Sequence, residues 1–193
     1  MDELLSSWVA RVAARYGAEP LELMVYLAGQ GGKDAGARQV DDVAPDLGLL
    51  RLWAKACRID PERLRRRSLA SRYPARPLDW FLTETVPVCL ACFDADVATG
   101  RDAYLRGHWR LAEQVVCQSH RTMLLDRCPA CRGGLRLTFR MLNGLLRPYC
   151  RKCCRSAGIS ETAFHLFSMT CLCRISETDS GYVRLDADLS HHW

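Results

Sequence analysis

No run of apolar residues in this 193-residue chain approaches the roughly 20 that a membrane-spanning helix needs. The opening stretch, MDELLSSWVARVAARYG, starts acidic and mixes apolar with polar residues, so it lacks the basic start and apolar block of an export signal. A cytoplasmic chain, with no membrane partner, is the expectation. The Gly-rich stretch GQGGKDAGARQ (29–39) lacks the residue order of a phosphate-binding loop, because Lys33 is followed by Asp34. Acidic residues are nearly missing from residues 117–155, where nine basic side chains meet only Asp126. What the chain does have is apolar mass. At 49% hydrophobic it is globular, with enough to bury one respectable core or two small ones.

The formal net charge of +5 hides a bipolar pattern. Residues 58–76 hold seven arginines and two acids, and residues 117–155 carry +8, while the rest of the chain is acidic at −8. Basic islands on an acidic background meet phosphate backbones or acidic protein faces. Eleven cysteines are many for a chain expected in a reducing compartment. Disulfides are rare there, so C-x2-C pairs point to metal, and zinc is the first candidate.

The sequence reads as mainly α with a small β component. Leu4, Leu5, Trp8, Val9, Val12 and Tyr16 recur at helical spacing, and Gly17 is a natural stop. A second helix starts near Pro20 with Leu21, Leu23, Met24 and Leu27 on its apolar side. Residues 46–70 read as a helix pair. The first helix carries Leu49, Leu50, Leu52, Trp53, Ala56 and a core Cys57, and Asp60-Pro61-Glu62 opens an arginine-rich second helix, RLRRRSL. Helix, short turn and basic helix are helix-turn-helix-like in outline, and Arg63, Arg65, Arg66, Arg67 and Arg72 are the candidates for nucleic-acid phosphate. RYPARPLDW (72–80) is read as an extended, Pro-rich link.

Four ligand pairs follow: Cys89/Cys92, Cys117/His120, Cys128/Cys131 and Cys150/Cys153, each with two intervening residues, the spacing of a zinc knuckle. They make two tetrahedral sites and can be joined in three ways. Sequential pairing closes gaps of 24 and 18 residues, nested pairing gaps of 7 and 57, and crossed pairing gaps of 35 and 29. Loop-closure entropy separates the first two by only about 0.1 kcal/mol. Crossed pairing interlocks its loops and is disfavoured. The intervening sequence favours the sequential arrangement. CPACRGG, LRLTF, an Asn143-Gly144 turn, LLRPY and CRKC read as a β-hairpin clamped by one zinc. That leaves Cys89/Cys92 to pair with Cys117/His120 across YLRGHWRLAEQVV, read as a helix or a helix plus loop.

All four positions at each site are filled by protein, so the two Zn2+ sites are structural, with no open position for catalysis. Seven thiolates, a neutral histidine and two Zn2+ sum to −3, a charge that nearby arginines also balance. Cys154 is an alternative to Cys153, and Cys171 and Cys173 with His165 are a weaker third set. The domain reading is a helical, helix-turn-helix-like domain (1–76), a first zinc module (77–127), a zinc ribbon (128–155) and a tail (156–193).

YLRGHWRL (104–111), CQSHRTMLLDRCPAC (117–131) and CRKC (150–153) resemble the TniQ family. SSWVARVAARYG and the helix ending in RRRSL are similar to that family's opening segment, so the resemblance covers residues 5–155. It also supports sequential ligand pairing. It implies a non-enzymatic adaptor in bacterial DNA transposition, linking a target-recognition complex to an AAA+ ATPase regulator. In CRISPR-associated transposons the target complex is RNA-guided, so the implied partners are the AAA+ regulator, a CRISPR effector complex or its guide RNA, and target DNA. The alternative is a stand-alone, zinc-containing, sequence-specific DNA-binding regulator. Trp109 and Leu111 are read as core, and His108 as outside any knuckle.

Overall fold

The computed structural model describes residues 2–29, 40–81 and 85–157. Their order is α1 (Leu5–Arg15), α2 (Pro20–Ala28), α3 (Leu47–Ala56), α4 (Pro61–Arg65), α5 (Leu69–Arg72), a 3-10 turn (Leu78–Trp80), α6 (Leu90–Ala98), a second 3-10 turn (Gly107–Arg110), β1 (Leu137–Leu142) and β2 (Leu145–Cys150). No helix among the described residues is long and apolar enough to cross a membrane. Cys171, Cys173, His165 and the Gly-rich stretch from residue 30 to 39 lie outside the described residues.

Local signals explain the helix ends. Gly17 takes φ 68° just beyond α1, the left-handed geometry a glycine tolerates. Glu19 and Glu22 form a capping box on α2. Asp46 caps α3, accepting from the Leu49 N–H at 2.8 Å, and Asp60 caps α4. The arginine-rich helix is shorter than RLRRRSL suggests: α4 ends at Arg65, and Ser68 caps a separate turn, α5. Leu21, expected on the inner side of α2, is 52% exposed, because Met24 is the residue that turns inward. The 72–80 link is not extended. The Arg76 N–H donates to the Tyr73 carbonyl, the Leu78–Trp80 turn follows, and the Arg76 guanidinium stacks 4.7 Å from the Trp80 ring.

Two apolar clusters organise the chain. Leu5, Val9, Met24, Leu50, Trp53, Cys57 and Leu64 join α1 through α4, with Trp8 edge-on to Trp53. Val88, Phe93, Ala103, Trp109, Leu135 and the buried cysteines form the other. A smaller cluster of Leu4, Val43, Leu69, Phe81 and Leu111 lies between them.

The N-terminal residues clamp these parts together. The Leu4 N–H donates to the Leu105 carbonyl and the Gly107 N–H to the Asp2 carbonyl. The Glu3 carboxylate, fully buried, takes both nitrogens of the Arg11 fork at 2.7 and 3.1 Å and Arg67 Nη1 at 3.0 Å. Arg11 also reaches Asp102 at 3.1 Å, and Asp102 accepts from the Leu146 N–H of β2 at 2.9 Å. One carboxylate-arginine network therefore runs from α1 to the hairpin. Such a chain of charge-assisted bonds fixes orientation as well as contact.

Residues 104–116 are not an α-helix. Only Gly107–Arg110 makes a 3-10 turn, and Leu111 pairs with Phe81 while the Ala112 N–H donates to the Trp80 carbonyl. The backbone groups a helix would use internally are spent on residues 2–4 and 80–81. Packing overrides the helical look of the segment.

Candidate metal centres

The fold brings the four pairs together in sequential order. The ligand atoms of Cys89, Cys92, Cys117 and His120 all lie within 4.8 Å of one another, as do those of Cys128, Cys131, Cys150 and Cys153. Cys154, the neighbour of Cys153, is not among them.

Each knuckle has a local cause. Cys89 is the N-cap of α6 and Cys92 lies in its first turn, so a helix start presents the first pair. A helix N-terminus favours thiolate over thiol. The other three knuckles share a different device. The residue four after the first ligand takes left-handed backbone and donates its N–H to that ligand's carbonyl: Arg121 to Cys117 at 2.7 Å, Arg132 to Cys128 at 2.8 Å, and Cys154 to Cys150 at 2.8 Å. Cys154 is thus the turn residue of its knuckle, which explains why Cys153 faces the cluster. A two-way bridge between Val88 and Leu125, at 2.9 and 2.8 Å, holds the two halves of the first centre in register. Val116 pairs with Met123 around Cys117 and His120. The second centre is closed by β1 and β2, paired from Leu137 with Cys150 to Leu142 with Leu145 around the Asn143-Gly144 turn, both residues at positive φ.

The spacings fit a four-coordinate ion. Tetrahedral Zn2+ with sulfur at about 2.3 Å places neighbouring sulfurs about 3.8 Å apart, and a sulfur and an imidazole nitrogen about 3.6 Å apart. Cys92 and Cys117 are separated by 3.6 Å, Cys128 and Cys153 by 3.7 Å, and Cys131 and Cys150 by 3.9 Å. His120 turns Nδ1 inward, 3.6 Å from Cys89, 3.3 Å from Cys92 and 3.6 Å from Cys117. Disulfides would need sulfurs about 2.0 Å apart.

Electrostatics differ between the centres. Burial opposes ionisation of Cys117, but hydrogen bonds involving the His120 backbone and ring, with Cys92 and Cys89, outweigh it and bring the thiol down to about 6. Burial pushes Cys92 well up, with the Arg106 charge opposing. Burial and the surrounding cysteine sulfurs push Cys153 up to about 12. Every ligand position in both sets is a cysteine or histidine, the donor set of structural zinc.

Beside the first centre, Trp109 is fully buried, edge-on to Phe93 at 5.6 Å, and Leu111 is buried as expected. The buried carboxylate of Asp96 takes Arg106 Nη2 at 3.0 Å to both oxygens, and the Arg106 guanidinium lies 5.0 Å from the Trp109 ring. His108 is outside both clusters and pairs with Asp2 through Nδ1. Helix α6 and this Asp96–Arg106 pair escaped the sequence reading. Leu90, Phe93 and Val97 at helical spacing behind Cys89 were the available signal.

The candidate phosphate-binding arginines are not brought together on one face. Arg67 holds Glu3, Arg72 holds Asp2 and the Glu3 carbonyl, and Arg65 pairs with Glu62 at 2.6 Å on the surface. Arg63 and Arg66 are exposed.

A family model described as TniQ matches residues 1–124, well over half of the chain, taking in the helices and the whole first centre and stopping short of the ribbon. No curated protein matches the chain.

Proposed function

The chain belongs to the TniQ family, and from that premise we propose that it is a non-enzymatic adaptor that joins a target-recognition complex to an AAA+ ATPase transposition regulator. The target complex in this reading is an RNA-guided CRISPR effector, met through protein or guide RNA, and the working compartment is the cytoplasm. Both metal ions are zinc, and both are structural.

The observation that carries the reading is the pair of closed ligand sets within one apolar cluster. Val88, Cys89, Cys92 and Cys117 belong to the same packed group as Cys128, Leu135 and Cys150. Two closed centres sharing a core give a rigid body with fixed faces, and offer no ligand position to a substrate. Rigid presentation of two faces suits bridging.

A stand-alone, sequence-specific DNA-binding regulator is the second reading. It draws support from the α3–α4 pair, joined by residues 57–60 with Arg58 in left-handed backbone, and from exposed Arg63 and Arg66 as phosphate contacts in a helix-turn-helix-like arrangement. It is weakened by Arg67 and Arg72, whose forks are occupied by Glu3 and Asp2.

The zinc-loaded chain, mixed with a cognate AAA+ regulator and with ATP, tests the adaptor. Co-elution that depends on ATP is the expected result. A folded, zinc-replete chain that never co-elutes contradicts the adaptor, and a footprint at defined DNA sites without partners supports the second reading.

A further inference from the structure

Six of the nine cations in residues 117–155 are gathered at the knuckle end of the ribbon. Arg127, Arg132 and Arg136 flank the Cys128 knuckle, Arg151, Lys152 and Arg155 flank the Cys150 knuckle, and all six are exposed. Backbone contacts set the two groups side by side. The Arg151 N–H donates to the Arg136 carbonyl at 2.8 Å, and Lys152 lies so close over Gly133 that a Cβ there would meet its Cδ at 2.9 Å. Among the described residues only Arg151 of the six has a carboxylate within ion-pair distance, Glu19 at 3.5 Å with both ends well exposed.

Metal balance does not absorb this charge. Two Zn2+ with seven thiolates and one neutral histidine carry −3 against the +8 of residues 117–155, so an excess of five positive charges remains. Arg127, Arg132, Arg136, Lys152 and Arg155, neighbouring cations with no carboxylate within ion-pair distance among the described residues, raise the local potential and attract polyanions. Within residues 127–136 and 151–155 no large apolar side chain is exposed, so the patch lacks the apolar centre of a protein interface. Five of the six cations are arginines, whose planar fork matches phosphate.

We propose that the knuckle end of the ribbon is a sequence-independent binding surface for nucleic-acid phosphates, separate from the α4 arginines. It is independent of the adaptor reading, since it requires neither the ATPase nor a target complex.

The test is anisotropy titration of zinc-loaded full-length chain against a labelled random-sequence DNA duplex and a single-stranded RNA, across a salt series. Binding should weaken linearly in log–log salt coordinates. The variant R132Q/R136Q/K152Q, with unchanged zinc content, should flatten the duplex slope by about 3 and the RNA slope by about 2, at 0.9 and 0.7 per phosphate contact. R63Q/R66Q should leave both slopes in place. Whichever probe shows the flattening names the source of the phosphate. Failure of the wild type to bind either probe at low salt overturns the proposal. So does a zinc-replete triple variant with wild-type affinity and slope on both, or capture of polyglutamate but neither nucleic acid.

Discussion

Around Cys89, Cys92, Cys117 and His120 the walls are Val88, Phe93, Ala103 and Trp109, and the loop between the ligand pairs carries the contacts to Asp2, Glu3 and Leu4. Around Cys128, Cys131, Cys150 and Cys153 the chain is a two-stranded hairpin, and Cys131 and Cys153 stand half-buried at its end. One centre therefore closes the part of the chain that binds the helical half to the rest. The other fastens a single hairpin, which docks on α1, on α6 and on Asp102. Equal ligand counts do not make the centres equal: position in the core decides what each one holds together.

Removing a ligand should expose that difference most. Cys117→Ser should release the first ion and unfold residues 85–124 together with the helical half they hold, while the ribbon keeps its own ion, since metal-coupled folding in such sites is worth on the order of 10 kcal/mol. Cys153→Ser should release the second ion while near-wild-type helical circular dichroism and Trp53 burial persist. Equal collapse in both variants would erase the distinction. Trp109→Ala should cost about 4 kcal/mol, and zinc competition should show loss of affinity at the first centre with the second unchanged.

The clamp gives the next test. Glu3→Gln leaves Arg11 and Arg67 facing each other without their shared carboxylate and should cost about 3 kcal/mol in urea unfolding, the low end for a broken buried pair because the arginines are partly exposed. A cost below 1 kcal/mol would mean that apolar packing alone holds the halves together.

Acid should separate the centres too. The Cys117 thiol is depressed to about 6, so its stabilising contribution is complete above the ordinary thiol range and is lost as pH falls through about 6. Cys153 is raised to about 12 and Cys92 at the first centre is pushed up as well, so each centre holds a thiol whose proton metal must displace throughout the neutral range, and Cys117 alone sets the first apart. Four thiolates also compete with more protons than three thiolates and an imidazole. As pH falls, the second centre should release zinc first and more steeply, as a zinc-sensitive dye would record. The reverse order would contradict the electrostatic contrast. The smallest effect is expected at Gly107, where a Cβ would lie 2.5 Å from Arg72 Nη1 and 2.7 Å from Asp2 Oδ1. Gly107→Ala should displace that ion pair and cost about 1 kcal/mol, readable as a small shift in Tm.

The sequence carried much of this architecture because its strongest signals are local. The C-x2-C spacings, the Asn143-Gly144 turn and the Asp60-Pro61-Glu62 helix start each depend on a few adjacent residues, and each is found where those residues place it. Long-range pairing was not legible. Glu3 reads as an acidic terminus until Arg11 and Arg67 take its carboxylate and Arg106 pairs with its backbone, and residues 104–116 read as a helix until residues 2–4 and 80–81 claim their backbone. The arginine-rich segment misleads for the same reason. Composition gives its charge, but only the fold shows that Arg67 and Arg72 face inward to carboxylates while the ribbon cations face solvent.

Metal counting by native mass spectrometry tests the central claim, two independent centres made by sequential pairs, most directly. The full-length chain should carry two zinc ions, and Cys92→Ser/Cys117→Ser, which disables one centre twice, should retain one. A double variant with no bound metal would place Cys92 and Cys117 at different centres and contradict the account.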